Sequence, residues 1–162
     1  MAKNNPSVSP KDIQLQKVNV LQFKIEASEK YIQKPLKPKN INFELGKEIA
    51  HNLEKGVARY RLFFNCKAEN SKNKSIGLEA NIGLEFHFAI EDFNRFIIKH
   101  KNGTVQIHLS IITNLMNIAY ATSRGIILEK TQNSYFNGII IPIVDSTGYL
   151  IKNEQVLIGT DL

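Results

Sequence analysis

Residues 76–90, IGLEANIGLEFHFAI, decide the fold of this chain. The even positions are apolar throughout, whereas the odd positions hold glycines, acids, Asn81, His87 and Ala89. A period of two residues is the signature of a β-strand that buries one face and leaves the other in water. A helix would distribute the same apolar side chains around its whole circumference. We therefore predict a central strand here.

The partner of this strand is predicted at residues 57–68, where a second alternation precedes a polar loop over residues 69–75. A hairpin register centred on Lys72 would place Arg59 opposite Glu85. We expect the two apolar faces to coincide, because a slip of one residue would turn every large side chain of one strand towards solvent.

The other strands are predicted from shorter patterns. The inward parity changes twice along residues 12–26, which predicts one long strand with a bulge or bend near Lys17 and another near Val20–Leu21. Residues 27–39 contain two prolines and four lysines and are expected to form a crossover loop. A strand follows at residues 40–45, and residues 46–56 are expected to be a connection with one helical turn at residues 47–53.

The main helix is predicted to run from about residues 105–109 to Arg124. It is supported by two adjoining apolar rows at helical spacing: Leu109, Ile112, Met116 and Ala119, and Ile111, Leu115, Ile118 and Thr122. Gly125 is expected to end the helix, and Asp92 to cap an earlier helical turn. So wide an apolar band predicts either a fully buried helix or one that also contacts another subunit. An extended segment is predicted at residues 139–144.

The strand and helix patterns predict an antiparallel α+β fold, and the length predicts a single domain. The chain has 162 residues, of which 43% are hydrophobic, enough for a full core. We expect the domain at residues 12–145, between a disordered N-terminal tail at 1–11 and a C-terminal tail at 146–162. No apolar run is long enough to span a bilayer, no signal sequence is recognisable, and Cys66 is the single cysteine. These features predict a cytoplasmic protein.

Positive charge is concentrated in the N-terminal part of the chain. The formal net charge is +6, and residues 1–40 alone carry eight lysines and three acids, which is +5. The densest group is Lys30, Lys34, Lys37 and Lys39. Such a group can attract nucleic acid or acidic partners, or it can be a solvated loop. The second interpretation is favoured, because nucleic-acid surfaces are richer in arginine and aromatic residues.

No pattern in the sequence indicates catalysis. The four histidines lack metal-ligand spacing, and no nucleophile elbow, phosphate-binding glycine loop or dinucleotide fingerprint is present. Cys66 falls on the inward face of its strand and is expected to pack in the core. We therefore predict a protein that is not an enzyme and needs no cofactor or metal.

Four segments together resemble the SecB-type protein-export chaperones. The run IQLQKV at residues 13–18, continued by FKIEA at residues 23–27, is similar to the family's opening strand. Residues 33–38 resemble the family's crossover loop, and residues 123–125 resemble the end of its main helix. Residues 141–144 resemble its Pro-containing extended segment. The order of the elements is also similar, over residues 13–145.

This resemblance implies a fold, an assembly and an activity. The fold is a four-stranded antiparallel sheet with helices on one face, and the assembly is a dimer of dimers that forms through the first strand and the main helix. The activity is ATP-independent holding of unfolded or nascent polypeptides in apolar grooves. Relatives serve protein export or toxin–antitoxin systems, so the implied partners are client proteins and either a translocation ATPase or an antitoxin.

The resemblance also suggests site residues. Tyr31, Ile32 and Leu36 of the crossover loop are expected to contact clients, or alternatively to pin the loop to its own sheet. Phe43, Ile112 and Met116 are expected to form the floor of the groove, or to be ordinary core.

The sequence departs from the family at the docking surface. Glu26 and Glu79 stand where the family has ATPase-docking acids, but Gln22 replaces an Asp and the chain is net basic, which argues against that docking. Leu36 also stands where the family has Trp. Two other function classes stay open: a basic nucleic-acid-binding module without catalytic activity, and a small-molecule enzyme.

Overall fold

The computed structural model describes residues 6–144 together with the pair Leu157–Ile158. Predictions about residues 1–5, 145–156 and 159–162 lie outside the described residues. The strands and helices are β1 Ile13–Ala27, α1 Glu29–Gln33, β2 Asn40–Asn52, β3 Val57–Glu69, β4 Ser75–Ile90, β5 Ile97–Lys99, β6 Val105–Ile107, α2 Leu109–Thr131 and β7 Leu157–Ile158. Short 3-10 turns lie at Pro10–Asp12 and Phe93–Phe96.

Four long antiparallel strands form the sheet, in the order β1-β4-β3-β2, with β7 added beside β2. Strand β7 is parallel to β2 and contributes two pairs, Ala50 with Leu157 and His51 with Ile158. Helix α2 packs on one face of the sheet, across β3 and β4, and β5 and β6 form a separate small hairpin. The α+β prediction and the four-stranded antiparallel sheet are therefore confirmed.

The first strand has the two predicted bulges. Its pairing with β4 shifts once between Leu15 and Lys17 and again between Val20 and Gln22. Each extra residue restores the apolar side chains to the face that α2 covers, so that Ile13, Val18 and Phe23 all pair with inward residues of β4. Two bulges explain how one strand of 15 residues changes parity without breaking.

The predicted register of the central hairpin was wrong by two residues. Arg61, and not Arg59, lies opposite Glu85, and Phe64 lies opposite Ile82. The pairing shifts between Lys67 and Glu69, an irregularity that the polar loop does not reveal. Because side chains alternate with a period of two, this error leaves the predicted buried face unchanged.

Two predicted boundaries were also wrong. Strand β2 continues to Asn52, so that residues 47–52 of the predicted helical turn are extended, and a turn follows only at residues 53–56. Gly46 does not end the strand, because Ile49 and His51 continue the same inward face opposite Tyr60 and Ala58. Helix α2 likewise continues past Gly125 to Thr131, since buried Ile127 and Thr131 extend its covered face.

Asp92 precedes the predicted helical turn, at Phe93–Phe96, but it does not cap it. Its backbone is left-handed, with φ of 46°, and its side chain makes no capping hydrogen bond. Phe93 and Phe96 are both buried, so burial of these two rings holds the turn in place.

The core lies between α2 and the inward face of the sheet. Its largest fully buried side chains include Tyr60, Phe64, Phe86, Phe88, Leu62 and Leu115. Cys66 is fully buried among them, as predicted from its parity. No helix within the described residues is long and apolar enough to cross a membrane.

Candidate functional site: two clefts beside the crossover loop

The crossover loop, residues 28–39, is tied to the β3–β4 hairpin at both ends. At its start, Ser28 N donates a hydrogen bond to Gly77 O at 2.7 Å, and at its end Lys39 N donates to Glu69 O at 2.9 Å. Ser28 is also the N-cap of α1, because its Oγ accepts a hydrogen bond from Tyr31 N. The loop therefore has a fixed position above the sheet while its middle residues, 32–37, are exposed.

A first cleft, which we call the Tyr31 cleft, separates the crossover loop from the turn after α2. Its volume is about 430 Å³, and its apolar lining consists of Tyr31, Pro35, Leu36, Pro38, Ile41, Tyr135 and Phe136. The rings of Tyr31 and Tyr135 meet edge to face, with centroids 5.8 Å apart. Leu36 and Tyr135 are 48% and 60% exposed, so the cleft presents apolar surface directly to solvent.

A second cleft, which we call the Ile76 cleft, lies on the other side of the same loop. Its volume is about 540 Å³, and its lining is Ser28, Lys30, Gln33, Lys34, Leu36, Asn70, Ser75, Ile76 and Gly77. Leu36 lines both clefts. The two clefts thus form neighbouring surfaces on which one extended chain can bury apolar side chains.

The turn that carries Tyr135 is held to the end of α2 by hydrogen bonds to Thr131. Fully buried Thr131 Oγ1 accepts a hydrogen bond from Ile139 N at 2.7 Å and donates one to Ile127 O at 2.6 Å. Its carbonyl accepts a further hydrogen bond from Gly138 N. The aromatic wall of the Tyr31 cleft therefore has a fixed position relative to α2.

The structure separates the residues that the sequence suggested as client contacts. Tyr31 and Leu36 lie at the clefts, but Tyr31 is only 5% exposed and also anchors the loop. Ile32 is exposed and lines neither cleft. Phe43 is partly buried on β2, and Ile112 and Met116 are buried in the core. Their roles in binding stay predictions.

Sequence reasoning missed Ile41, Tyr135 and Phe136 as cleft residues. The predicted helix ended at Arg124, which left residues 125–138 without an assigned position. An aromatic pair directly before Asn137 and Gly138, both at positive φ, was the available signal, since two large rings at a tight turn need a partner surface.

The suggested docking acids, Glu26 and Glu79, lie directly opposite each other on β1 and β4. They are on the sheet face away from α2, and Lys24 forms an ion pair with Glu26 at 2.7 Å. One of the two charges is therefore partly neutralised within the chain. Their docking role stays a prediction.

Four titratable groups among the described residues have perturbed pKa values, and all of them lie in or on the sheet. Hydrogen bonds to Glu85 and Glu48 raise the pKa of Arg61. Burial lowers the pKa of His51 to about 4 and raises the pKa of the Cys66 thiol to about 11. Burial would raise the pKa of Glu85, but hydrogen bonds from His87, Arg61 and Asn19 lower it to about 2. These groups do not line either cleft.

No cluster of His, Cys, Asp or Glu among the described residues is arranged to hold a metal ion. The linings of the two clefts combine apolar side chains with three lysines: Lys37 in the Tyr31 cleft, and Lys30 and Lys34 in the Ile76 cleft.

No protein-family model matches the chain, and no curated protein matches it significantly. Among solved structures, it is similar to the Mycobacterium tuberculosis SecB-like chaperone Rv1957 in complex with a ChAD peptide from the antitoxin HigA1. The alignment covers 83% of this chain and 91% of that one, with 13% identity and a TM-score of 0.52. A Streptococcus agalactiae protein of unknown function aligns over 81% of this chain and 97% of its own, with 12% identity and a TM-score of 0.37. The SecB-like fold predicted from the sequence is therefore confirmed, at the level of the fold.

Proposed function

We propose that this protein is an ATP-independent holdase that binds unfolded or nascent polypeptides at the Tyr31 and Ile76 clefts. The observation that carries the proposal is the pair of solvent-open clefts that share Leu36, on a SecB-like fold. Apolar burial is non-directional, so such surfaces can hold many unfolded sequences without recognising one of them. The proposed activity has no catalytic step and needs no nucleotide, and we propose that it takes place in the cytoplasm.

Clients are proposed to include exported proteins or an antitoxin segment. The similar structure contains a SecB-like chaperone with an antitoxin peptide, and this supports an antitoxin as one class of client. Assembly into a dimer or a dimer of dimers belongs to the same proposal. Its support is the exposed apolar surface of β1, an edge strand of the described sheet, where Val20, Leu21 and Phe23 are 47%, 44% and 38% exposed.

The proposal is tested by light scattering of a reduced, unfolding client protein, with and without this protein and with and without ATP. We expect suppression of aggregation that does not depend on ATP. Size-exclusion chromatography with multi-angle light scattering, run on the same sample, gives the oligomeric state. A protein that leaves client aggregation unchanged would refute the holdase proposal.

Variants at the exposed leucine connect this activity to the clefts. Leu36→Ser should weaken client binding roughly fivefold, because about half of a leucine side chain, about 1 kcal/mol, is available for burial. Val105→Ser, at a similarly exposed residue of the β5–β6 hairpin, is the matched control and should bind as the wild type does. Ile32→Ser distinguishes two versions of the binding site. If clients bind only at the two clefts, this variant should bind them as the wild type does, whereas if Ile32 is a client contact, as the sequence suggested, client binding should weaken.

A nucleic-acid-binding module is the second candidate, and the lysine-rich loop is the observation that favours it. Binding driven by release of counterions from phosphates would weaken steeply with salt, whereas apolar holding would not. A salt titration from 50 to 200 mM (about the range over which such binding falls by orders of magnitude) therefore separates the two candidates.

A further inference from the structure

We propose that the two clefts select client segments whose apolar residues are flanked by Asp or Glu. This inference rests on the proposed holdase function and names the class of polypeptide that the function uses. It follows from the charged residues in the cleft linings, which are all lysines.

Three lysines contribute to the cleft linings, and no Asp or Glu does. Lys37 lies in the Tyr31 cleft, and Lys30 and Lys34 lie in the Ile76 cleft. All three are exposed, and none has an ion-pair partner among the described residues. Their ammonium groups are therefore available to an incoming carboxylate.

The β3–β4 loop adds to the same edge. It contributes Asn70 to the lining of the Ile76 cleft and carries Lys72 and Lys74, both exposed. Asn70 Oδ1 accepts hydrogen bonds from the backbone N–H groups of both lysines, at 2.8 and 3.2 Å. The loop is thus folded beside the cleft. The acid nearest in sequence to Lys30, Glu29, accepts a hydrogen bond from Gln33 instead of lining a cleft.

Leu36, which lines both clefts, therefore has lysines of both linings near it in the sequence, at positions 30, 34 and 37. An extended segment that buries apolar residues against Leu36 and carries carboxylates on either side of them can pair with lysines of both linings. A basic segment would bring like charges together, which costs free energy and slows association. Exposed pairs are individually weak, so we expect discrimination from several lysines acting together and a decrease in discrimination at high salt.

The test uses labelled peptides of one length with the same apolar centre and flanks of Asp/Glu, Ser/Gly or Lys, measured by fluorescence polarisation with the full chain. We expect the acidic peptide to bind roughly tenfold more tightly than the neutral one, about 1.4 kcal/mol, and the basic peptide to bind least tightly. The triple variant K30Q/K34Q/K37Q should remove this preference. The control K11Q/K99Q/K101Q changes the net charge equally at exposed lysines outside the clefts and should keep it.

Each contrary outcome has a separate meaning. Equal affinity for all three peptides would overturn this inference and leave the holdase proposal intact. Failure of every peptide to bind would overturn both. Equal affinity for an acidic peptide whose apolar centre is replaced by Ser, or tighter binding of a single-stranded oligonucleotide, would also overturn it and would favour a purely electrostatic site.

Discussion

Burial of His51 makes the stability of the protein depend on pH. The side chain is fully buried, its Nε2 lies 3.1 Å from Tyr60 Oη, and burial lowers its pKa from 6.5 to about 4. The pKa of His51 is lower in the folded chain than in the unfolded chain. At a pH between these two values, the imidazole is therefore protonated in the unfolded chain and neutral in the folded one. The contribution of His51 to stability is therefore complete above pH 6.5 and is lost as the pH falls towards 4.

The size of this effect follows from the two pKa values. The difference between 6.5 and about 4, at about 1.36 kcal/mol per pH unit, corresponds to about 3 kcal/mol for the full titration. About 2 kcal/mol of it is lost by pH 5, where the unfolded imidazole is almost fully protonated and the folded one is still neutral.

His51→Gln tests this prediction, since glutamine does not titrate and its amide can replace the imidazole Nε2 beside Tyr60. Urea unfolding is measured at pH 8 and pH 5, at one protein concentration, for the wild type, His51→Gln and His100→Gln. The stability difference between the wild type and His51→Gln should shrink by about 2 kcal/mol between the two pH values. His100 is exposed, and His100→Gln should follow the wild type. A His51→Gln curve parallel to that of the wild type would refute the reasoning.

Three further predictions concern the sheet and the crossover loop. Gly77→Ala should destabilise the fold by about 2 kcal/mol or more in urea unfolding, because φ of Gly77 is +82° and the new Cβ would lie 2.0 Å from Ser28 Oγ. Its control is Gly125→Ala in helix α2, where the new Cβ meets open space; this variant should stabilise the fold by about 0.5–1 kcal/mol. Glu85→Gln should lower the free energy of unfolding by about 1–3 kcal/mol at pH 7. The difference in stability between the wild type and Glu85→Gln should narrow as the pH falls from 4.5 towards about 2, where the wild-type carboxylate becomes protonated. A stability difference that stays constant over this range would contradict the lowered pKa of Glu85. Cys66, fully buried and with its pKa raised to about 11, should react with a thiol reagent such as dithionitrobenzoate only when the protein unfolds.

The sheet was predictable because its signal is local. Alternation along β3 and β4 depends only on neighbouring residues, and it identified the buried face even though the register was wrong by two residues. The parity changes along β1 identified its bulges for the same reason. The ends of the strands and helices were less predictable. Gly46 and Gly125 each favour the end of an element, but burial of Ile49 on β2 and of Ile127 on α2 outweighs that local preference.

The clefts were only half predictable because they are formed by segments that are distant in the sequence. Leu36 could be nominated as an isolated apolar residue in a lysine-rich loop. Its neighbours Tyr135 and Phe136 reach it only because α2 continues to Thr131, so an early helix end removed them from the prediction. Ile112 and Met116 were nominated from a wide apolar band that the structure uses to cover the sheet.

The way in which the crossover loop is held bears directly on how a holdase can bind chains of unrelated sequence. Such a protein gains most of its affinity from apolar contact, and each ordering step on its own side reduces that affinity. Here Ser28 and Lys39 are bound to the backbone of the hairpin, and Pro35 and Pro38 restrict the backbone around Leu36. Leu36 is thus presented at a nearly fixed position, so most of the free energy of burying it would remain available for binding a client under the proposed function.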